Sequence, residues 1–153
     1  MWSIPESQLN VLGDVRDKDV LELGCGAAQW SIALAGLGAR CVGLDNSARQ
    51  LEHARRGMAA AGVDFPLVHA SAETAPLPDA SFDVVFCDHG AMTFADPERT
   101  VPEAARLLRP GGLFAFNAES RCISSAGTKR RISSATASGG TTSTRAVPTT
   151  ARP

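Results

Sequence analysis

The segment Val20-Leu21-Glu22-Leu23-Gly24-Cys25-Gly26, with Asp45 lying 21 residues beyond Gly24, constrains this chain more than any other. An apolar strand runs straight into a glycine turn. A helical stretch and a second apolar strand, Cys41-Val42-Gly43-Leu44, follow, and the acid closes that strand. Glycines let the backbone approach a ligand closely, and an acid about 20 residues on can accept both hydroxyls of a ribose. The arrangement points to a nucleoside cofactor held at the carboxyl ends of neighbouring parallel strands.

The third small position decides which kind of cofactor. A dinucleotide fingerprint, G-x-G-x-x-G/A, needs a small residue where the helix packs beside the pyrophosphate. Counted from Gly24 that position is Gln29, followed by Trp30, and neither is small. A turn ending in Ala27-Ala28 suits a ligand that sets no phosphate on the helix N-terminus. An NAD(P)-binding oxidoreductase stays as the lesser alternative and predicts binding of a reduced nicotinamide cofactor.

Periodicity places the remaining elements. Ile4, Leu9, Val11 and Leu12 suit a short amphipathic helix, and strand 1 spans 20–23. Trp30 to Leu37 reads as a helix closed by Gly36 and Gly38, strand 2 spans 40–44, and Ser47 caps a helix that ends at Gly62. Strand 3 spans about 66–70 and strand 4 about 83–87. Thr100 to Leu108 is helical up to Pro110, and Gly111-Gly112 turns the chain into strand 5, Leu113-Phe114-Ala115-Phe116. Alternating short strands and helices specify an α/β fold, a doubly wound and mostly parallel sheet. Right-handed crossovers collect the loops after strands 1 to 4 along one carboxyl edge.

These segments resemble, in order and spacing, the class I S-adenosylmethionine-dependent methyltransferases. Residues 20–26 are similar to that family's first motif, and Gly43-Leu44-Asp45-Asn46-Ser47 to the end of its strand 2. His69-Ala70-Ser71-Ala72-Glu73, Leu77-Pro78-Asp79, Ser81-Phe82-Asp83-Val84-Val85 and Cys87-Asp88 are similar to strands 3 and 4. Leu107-Leu108-Arg109-Pro110-Gly111-Gly112-Leu113 resembles the turn into strand 5. The resemblance covers residues 2 to 119 and implies a Rossmann-like sheet with S-adenosyl-L-methionine as cofactor. It also implies strands 6 and 7, which the sequence beyond Glu119 does not supply.

Site roles follow from the resemblance residue by residue. Gly24, Cys25 and Gly26 would pass under the methionine part, and Glu22 would orient that loop or the amino group; Glu22 capping the next helix is the plainer alternative. Asp45 would accept both ribose hydroxyls, with Asn46 beside the adenine. Ala72 and Glu73 would meet the adenine edge, and Ser71 stands where many members carry an aspartate for the exocyclic amine. Asp88 would lie near the ammonium and the substrate. His89, next in the loop facing the transferable methyl, is the candidate catalytic base for an acceptor hydroxyl or amine. Of the other histidines, His53 belongs to a charged helix face and is expected in solvent. His69 alternates within strand 3 and is expected as a satisfied buried imidazole. Asp83 reads as a strand-start residue bonding a neighbouring turn. No third ligand joins Asp88 and His89, so no metal is expected.

Composition bounds the rest. Cys25, Cys41, Cys87 and Cys122 form no C-x-x-C pair and read as reduced thiols of a cytoplasmic protein. No apolar run is long enough to span a bilayer, and none reads as a signal peptide. The net charge of −1 conceals a split: residues 1–120 hold nine Lys and Arg against 16 Asp and Glu, whereas residues 121–153 hold six Lys and Arg and no acid. The first part contains no basic stretch interleaved with aromatics, so a nucleic-acid partner is not expected there and a small-molecule acceptor is. Residues 1–119 then form the methyltransferase domain. Residues 120–153 form a tail with 13 Ser or Thr after position 120 and no aromatic, expected to be disordered. One consistent choice of codons for residues 138–144, read two bases later, encodes Arg-Arg-Asp-Tyr-Phe-Asp, so a shifted reading frame would explain the tail. A cofactor-binding fragment without turnover, or a nucleic-acid-associated protein acting through its basic tail, are the further alternatives.

Overall fold

In the computed structural model, which describes residues 11–117, the glycine turn joins β1 (Asp19–Leu23) to α1 (Gln29–Gly36). β2 (Arg40–Asp45), α2 (Ala48–Ala61), β3 (Leu67–His69), β4 (Phe82–Asp88), α3 (Ala91–Phe94), α4 (Pro97–Leu107) and β5 (Leu108–Asn117) follow. The strands lie in the order β3-β2-β1-β4-β5, and every pairing is parallel. This is the expected doubly wound α/β sheet, five-stranded within the described residues. Chain direction across the sheet reverses between β1 and β4, the switch point where such sheets open a crevice at their carboxyl edge. Most of the N-terminal helix expected from Ile4, Leu9, Val11 and Leu12, and the tail expected after 120, lie outside the described residues; Val11 and Leu12 themselves form a bend and not a helix.

Pleating sorts the strand residues between two faces. Val20, Cys41, Val84 and Phe86 join the cluster that holds Leu34 of α1 and Leu51 and Met58 of α2. Leu21, Leu23, Leu44, Val85 and Cys87 join the opposite cluster, with Ala104 and Leu107 of α4. Leu21, Leu23 and Leu44 are at most 1% exposed, and each contributes on the order of 2 kcal/mol by leaving water. Cys25, Cys41 and Cys87 are free and buried, and burial pushes the Cys25 and Cys41 thiols up to about 12, as core thiols rather than nucleophiles.

Local chemistry explains the helix ends. Ser47 Oγ accepts from the Gln50 N–H at 3.4 Å, and Gly62 closes α2 at φ 67°, where only glycine is unstrained. Helix α4 begins at Pro97 rather than at Thr100. The Asp96 carboxylate accepts from the Glu98 N–H at 2.9 Å, and proline at the first helical position needs no donor. That cap signal outranks the apolar period, which begins later. The single turn α3 carries too few residues for any period. β5 likewise begins at Leu108, five residues before expectation. Leu108 already pairs with Phe82, then Arg109–Gly112 bulge out and the ladder resumes at Val84–Leu113. Arg109 tethers the bulge through ion pairs to Asp19 at 2.7 Å and Asp83 at 2.8 Å, and Asp83 also accepts from the Asp19 N–H. Asp83 therefore ties strand starts together at the edge opposite the motif loops.

Among the described residues no helix is long and apolar enough to cross a membrane, and no cluster of three His, Cys, Asp or Glu could hold a metal ion.

Candidate functional site

The loops leaving β1, β2, β3 and β4 enclose a cleft of about 420 Å³. That is within the roughly 300–1,000 Å³ of small-molecule sites. Gly24, Gly26, Asp45, Asn46, Ser71, Ala72 and Glu73 line it, seven of the residues singled out in the sequence. Ser47, the cap of α2, and Gln50 in its first turn, with Gly90, Ala91 and Phe94 around α3, join the wall unforeseen. Phe94 is 77% exposed, an aromatic face placed at the mouth. Gly90, directly after the Asp88-His89 pair, is the one signal in the sequence that this loop turns into the site. A shallower depression of similar volume lies along α2 between Arg49, His53 and Arg56, all on one solvated helix face, and holds none of the motif residues.

Asp45 anchors the cleft. Only 8% exposed, it accepts from the Gly26 N–H at 2.8 Å through one oxygen and from the Ser47 N–H at 2.8 Å through the other. A carboxylate offers about four acceptor sites, so two remain for ligand hydroxyls. Asn46 is exposed beside it, and its carbonyl accepts from His69 Nε2 at 3.0 Å. His69 is thus an exposed residue and not the buried imidazole expected; β3 is an edge strand of three residues, and its last side chain reaches solvent.

The two glycines of the turn do different work. A Cβ on Gly24 would overlap the backbone of Gly90 and Ala91, and one on Gly90 would overlap the Gly24 carbonyl. The missing side chain at Gly24 therefore lets the loops after β1 and β4 touch, and Gly24 also lines the cleft, where close approach to a ligand is expected. Gly26, at φ 54°, has nothing within 4 Å of the place a Cβ would occupy and is the glycine that keeps the cleft open. Cys25 between them turns inward: its thiol packs over Gly43 and its N–H donates to the Leu44 carbonyl at 2.9 Å.

Glu22 lies behind the cleft wall. Pleating directs it to the α1 face, where its carboxylate accepts from the Ser31 N–H at 3.1 Å and the Ser31 hydroxyl at 2.5 Å. Helix α1 has no side-chain cap of its own, because Ala28 occupies that position, so Glu22 caps it from the neighbouring strand. The plainer alternative for Glu22 is the observed one. Burial raises its carboxyl to about 7 against the lowering effect of the Ser31 bonds, and the charges of Asp88 and Asp45 add to the rise.

The β3 exit is held from α4. Ser71 Oγ accepts from the Glu73 N–H at 3.2 Å, a local turn that leaves the hydroxyl proton available. The Glu73 carboxylate is committed to the Asp96 N–H at 3.0 Å and to Arg99 at 2.9 Å, so its backbone is what it offers the cleft. Arg106 donates to the carbonyls of Leu77 and Ala75 and pairs with Glu103 and Asp79, clipping the following loop onto the helix.

Asp88 and His89 are brought together at the β4 exit, adjacent to the lining rather than within it. His89 Nδ1 lies 2.9 Å from Asp88 Oδ1, with Trp30 Nε1 and Asn117 Nδ2 also on the Asp88 carboxylate. Sequence reasoning places Trp30 in a helix and assigns it no site role; no local signal announces a contact spanning 58 residues.

With this geometry in place, the relatives are informative. A family model described as "Methyltransferase domain" matches residues 21–116. The chain belongs to the methyltransferase-domain family. It is 39% identical over 106 residues to a ubiquinone biosynthesis O-methyltransferase of Thiobacillus denitrificans, covering 68% of this chain and 45% of that one. It is 34% identical over 113 residues to a demethylmenaquinone methyltransferase of Clavibacter sepedonicus, covering 73% and 44%. The crystal structure of the Bacillus subtilis YcgJ protein superposes with a TM-score of 0.65 at 29% identity, covering 71% of this chain and 47% of that one. This methyltransferase domain thus spans under half the length of these relatives.

The cleft lining contains Asp45 and Glu73 but no Lys, Arg or His. The third N–H of α1, which would greet a phosphate in a dinucleotide site, is taken by Glu22.

Proposed function

We propose that the chain is the cofactor-binding part of an S-adenosyl-L-methionine-dependent methyltransferase acting on a small-molecule acceptor. The observation that carries this reading is the Asp45 carboxylate in a cleft without Lys, Arg or His: it offers acceptors to ribose hydroxyls and provides no cation for a pyrophosphate. The same feature disfavours the oxidoreductase alternative. Asp45 would hold the ribose hydroxyls, Gly26 would leave room for the methionine part, and Asn46, Ser71, Ala72 and the Glu73 backbone would border the adenine. Glu22 and Cys25 would shape the loop from behind. When bound, the cofactor supplies a methyl activated on a sulfonium for in-line displacement, so the protein's task is to position the partners.

His89 would take the proton of the acceptor hydroxyl or amine, with Asp88 steadying the charged ring. Relatives named for ubiquinone biosynthesis and for demethylmenaquinone make a small acceptor the natural class here too. A cytoplasmic setting fits three buried free thiols.

Calorimetric titration of the full chain with S-adenosylhomocysteine and, separately, with NADH tests the reading. Saturable binding of the first and none of the second is expected. NADH binding alone would overturn it, and S-adenosylhomocysteine binding without methyl transfer to any hydroxylated acceptor would leave a cofactor-binding domain without turnover.

A further inference from the structure

Asp88 ends β4 on the sheet face that carries α1, two residues before Gly90 enters the cleft wall. Both of its oxygens are engaged. Trp30 Nε1–H donates to Oδ2 at 2.8 Å, while His89 Nδ1 and Asn117 Nδ2 lie 2.9 and 3.3 Å from Oδ1. Trp30 sits in the first turn of α1 and is 36% exposed, too much for a side chain placed there to fill the core. Its indole has one donor and no acceptor, so it can recognise only the unprotonated face of a group such as a carboxylate. Glycine packing between Gly24 and Gly90 fixes how far apart the β1 and β4 exits stand, which gives that donor a defined target.

We propose that Trp30 is a positioning residue for His89, acting through Asp88. By pinning Oδ2, Trp30 turns Oδ1 toward the imidazole. The ionised carboxylate only accepts, so His89 carries its ring proton on Nδ1 and keeps Nε2 unprotonated. Asn117 Nδ2 lies 3.4 Å from Nδ1 and 3.3 Å from Nε2, near both ring nitrogens and in line with neither lone pair, so Nε2 is left for an acceptor hydroxyl. The acceptor's O–H bond breaks as an N–H bond forms at Nε2, and the imidazolium so formed faces the Asp88 carboxylate. The backbone reinforces this arrangement: His89 adopts φ 59° and donates its N–H to the Asn117 carbonyl at 2.8 Å. This role rests on His89 being the base of the methyltransferase reaction.

The test compares the full chain with its Trp30→Phe variant, which keeps a ring and removes the donor. Long-range proton–nitrogen spectra at pH 8, assigned with His89→Gln, read the tautomer directly. His89 in the unaltered chain is expected as the Nδ1–H form, with the Nε2–H form growing at its expense in Trp30→Phe. S-adenosylhomocysteine affinity is expected to stay within about threefold, since Trp30 does not line the cleft. An unchanged tautomer in the variant, or an Nε2–H ring in the unaltered chain, would overturn the proposal. So would a loss of cofactor affinity alongside the tautomer change, which would make Trp30 a support of the cleft itself. Should Trp30→Phe fold poorly, Asp88→Asn must move the Trp30 indole N–H resonance; if it does not, the contact is absent. The tautomer is read without any methyl transfer, so it decides the role of Trp30 even where the unaltered chain binds no S-adenosylhomocysteine and the functional reading fails.

Discussion

Asp45 accepts a hydrogen bond from the backbone N–H of Gly26 at 2.8 Å, so the acid at the end of β2 sets the shape of the glycine turn after β1. One residue thereby builds the cleft and offers acceptors within it. Asp45→Ala is expected to weaken S-adenosylhomocysteine binding by roughly 2–4 kcal/mol, leaving two ligand hydroxyls and two backbone donors without partners. Titration calorimetry measures this, and an affinity equal to that of the unaltered chain would place the ribose elsewhere.

The glycines of the turn should separate stability from binding. Gly24→Ala meets the Gly90 and Ala91 backbone at positive φ and is expected to destabilise by roughly 2–5 kcal/mol. Gly26→Ala has open space around it, so only its left-handed φ costs stability, about 1 kcal/mol. Its methyl stands at the cleft edge, and the ligand Kd is expected to rise about tenfold. Urea melts and binding isotherms of both variants check the pattern; equal stability losses would contradict it.

Glu22 makes stability depend on pH. Its carboxyl titrates near 7 when folded against an ordinary 4.5, so the folded chain holds the extra proton between those values. Its contribution is fully present below about 4.5 and is lost as pH rises through 7, on the order of 3 kcal/mol in all. Glu22→Gln keeps a carbonyl acceptor for Ser31 and has no proton to lose. The variant is therefore expected to gain on the unaltered chain by about that amount between pH 5 and pH 8. Parallel stability curves at the two pH values would show that Glu22 titrates normally.

His89→Gln is expected to lower turnover about 10²-fold or more, while S-adenosylhomocysteine binding persists. Single-turnover methyl transfer to a hydroxylated acceptor would read this. A turnover unaffected by the change would assign the proton to another group or to water.

The strands other than the bulged start of β5, the helices α1 and α2 and the positions of Gly26, Asp45, Ser71 and Ala72 are legible in the sequence, because each rests on local patterns. A period of two or 3.6 and a glycine turn at a strand's end survive without knowing what packs on them. The early start of α4 is equally local, written in Asp96-Pro97, but the apolar period that begins later masks it. What the sequence could not disclose depends on contacts between distant segments. Whether Glu22 faces a ligand or caps α1 is decided by which strand face α1 covers. Gly24 is required by Gly90, 66 positions away, and Trp30 meets Asp88 only because β4 lies beside β1. The chain's own pattern thus determined the class of fold and the acid that anchors the cleft. Tertiary packing alone decided which side chains look into that cleft and which hold its walls, because side-chain direction and reach are set across strands rather than along them.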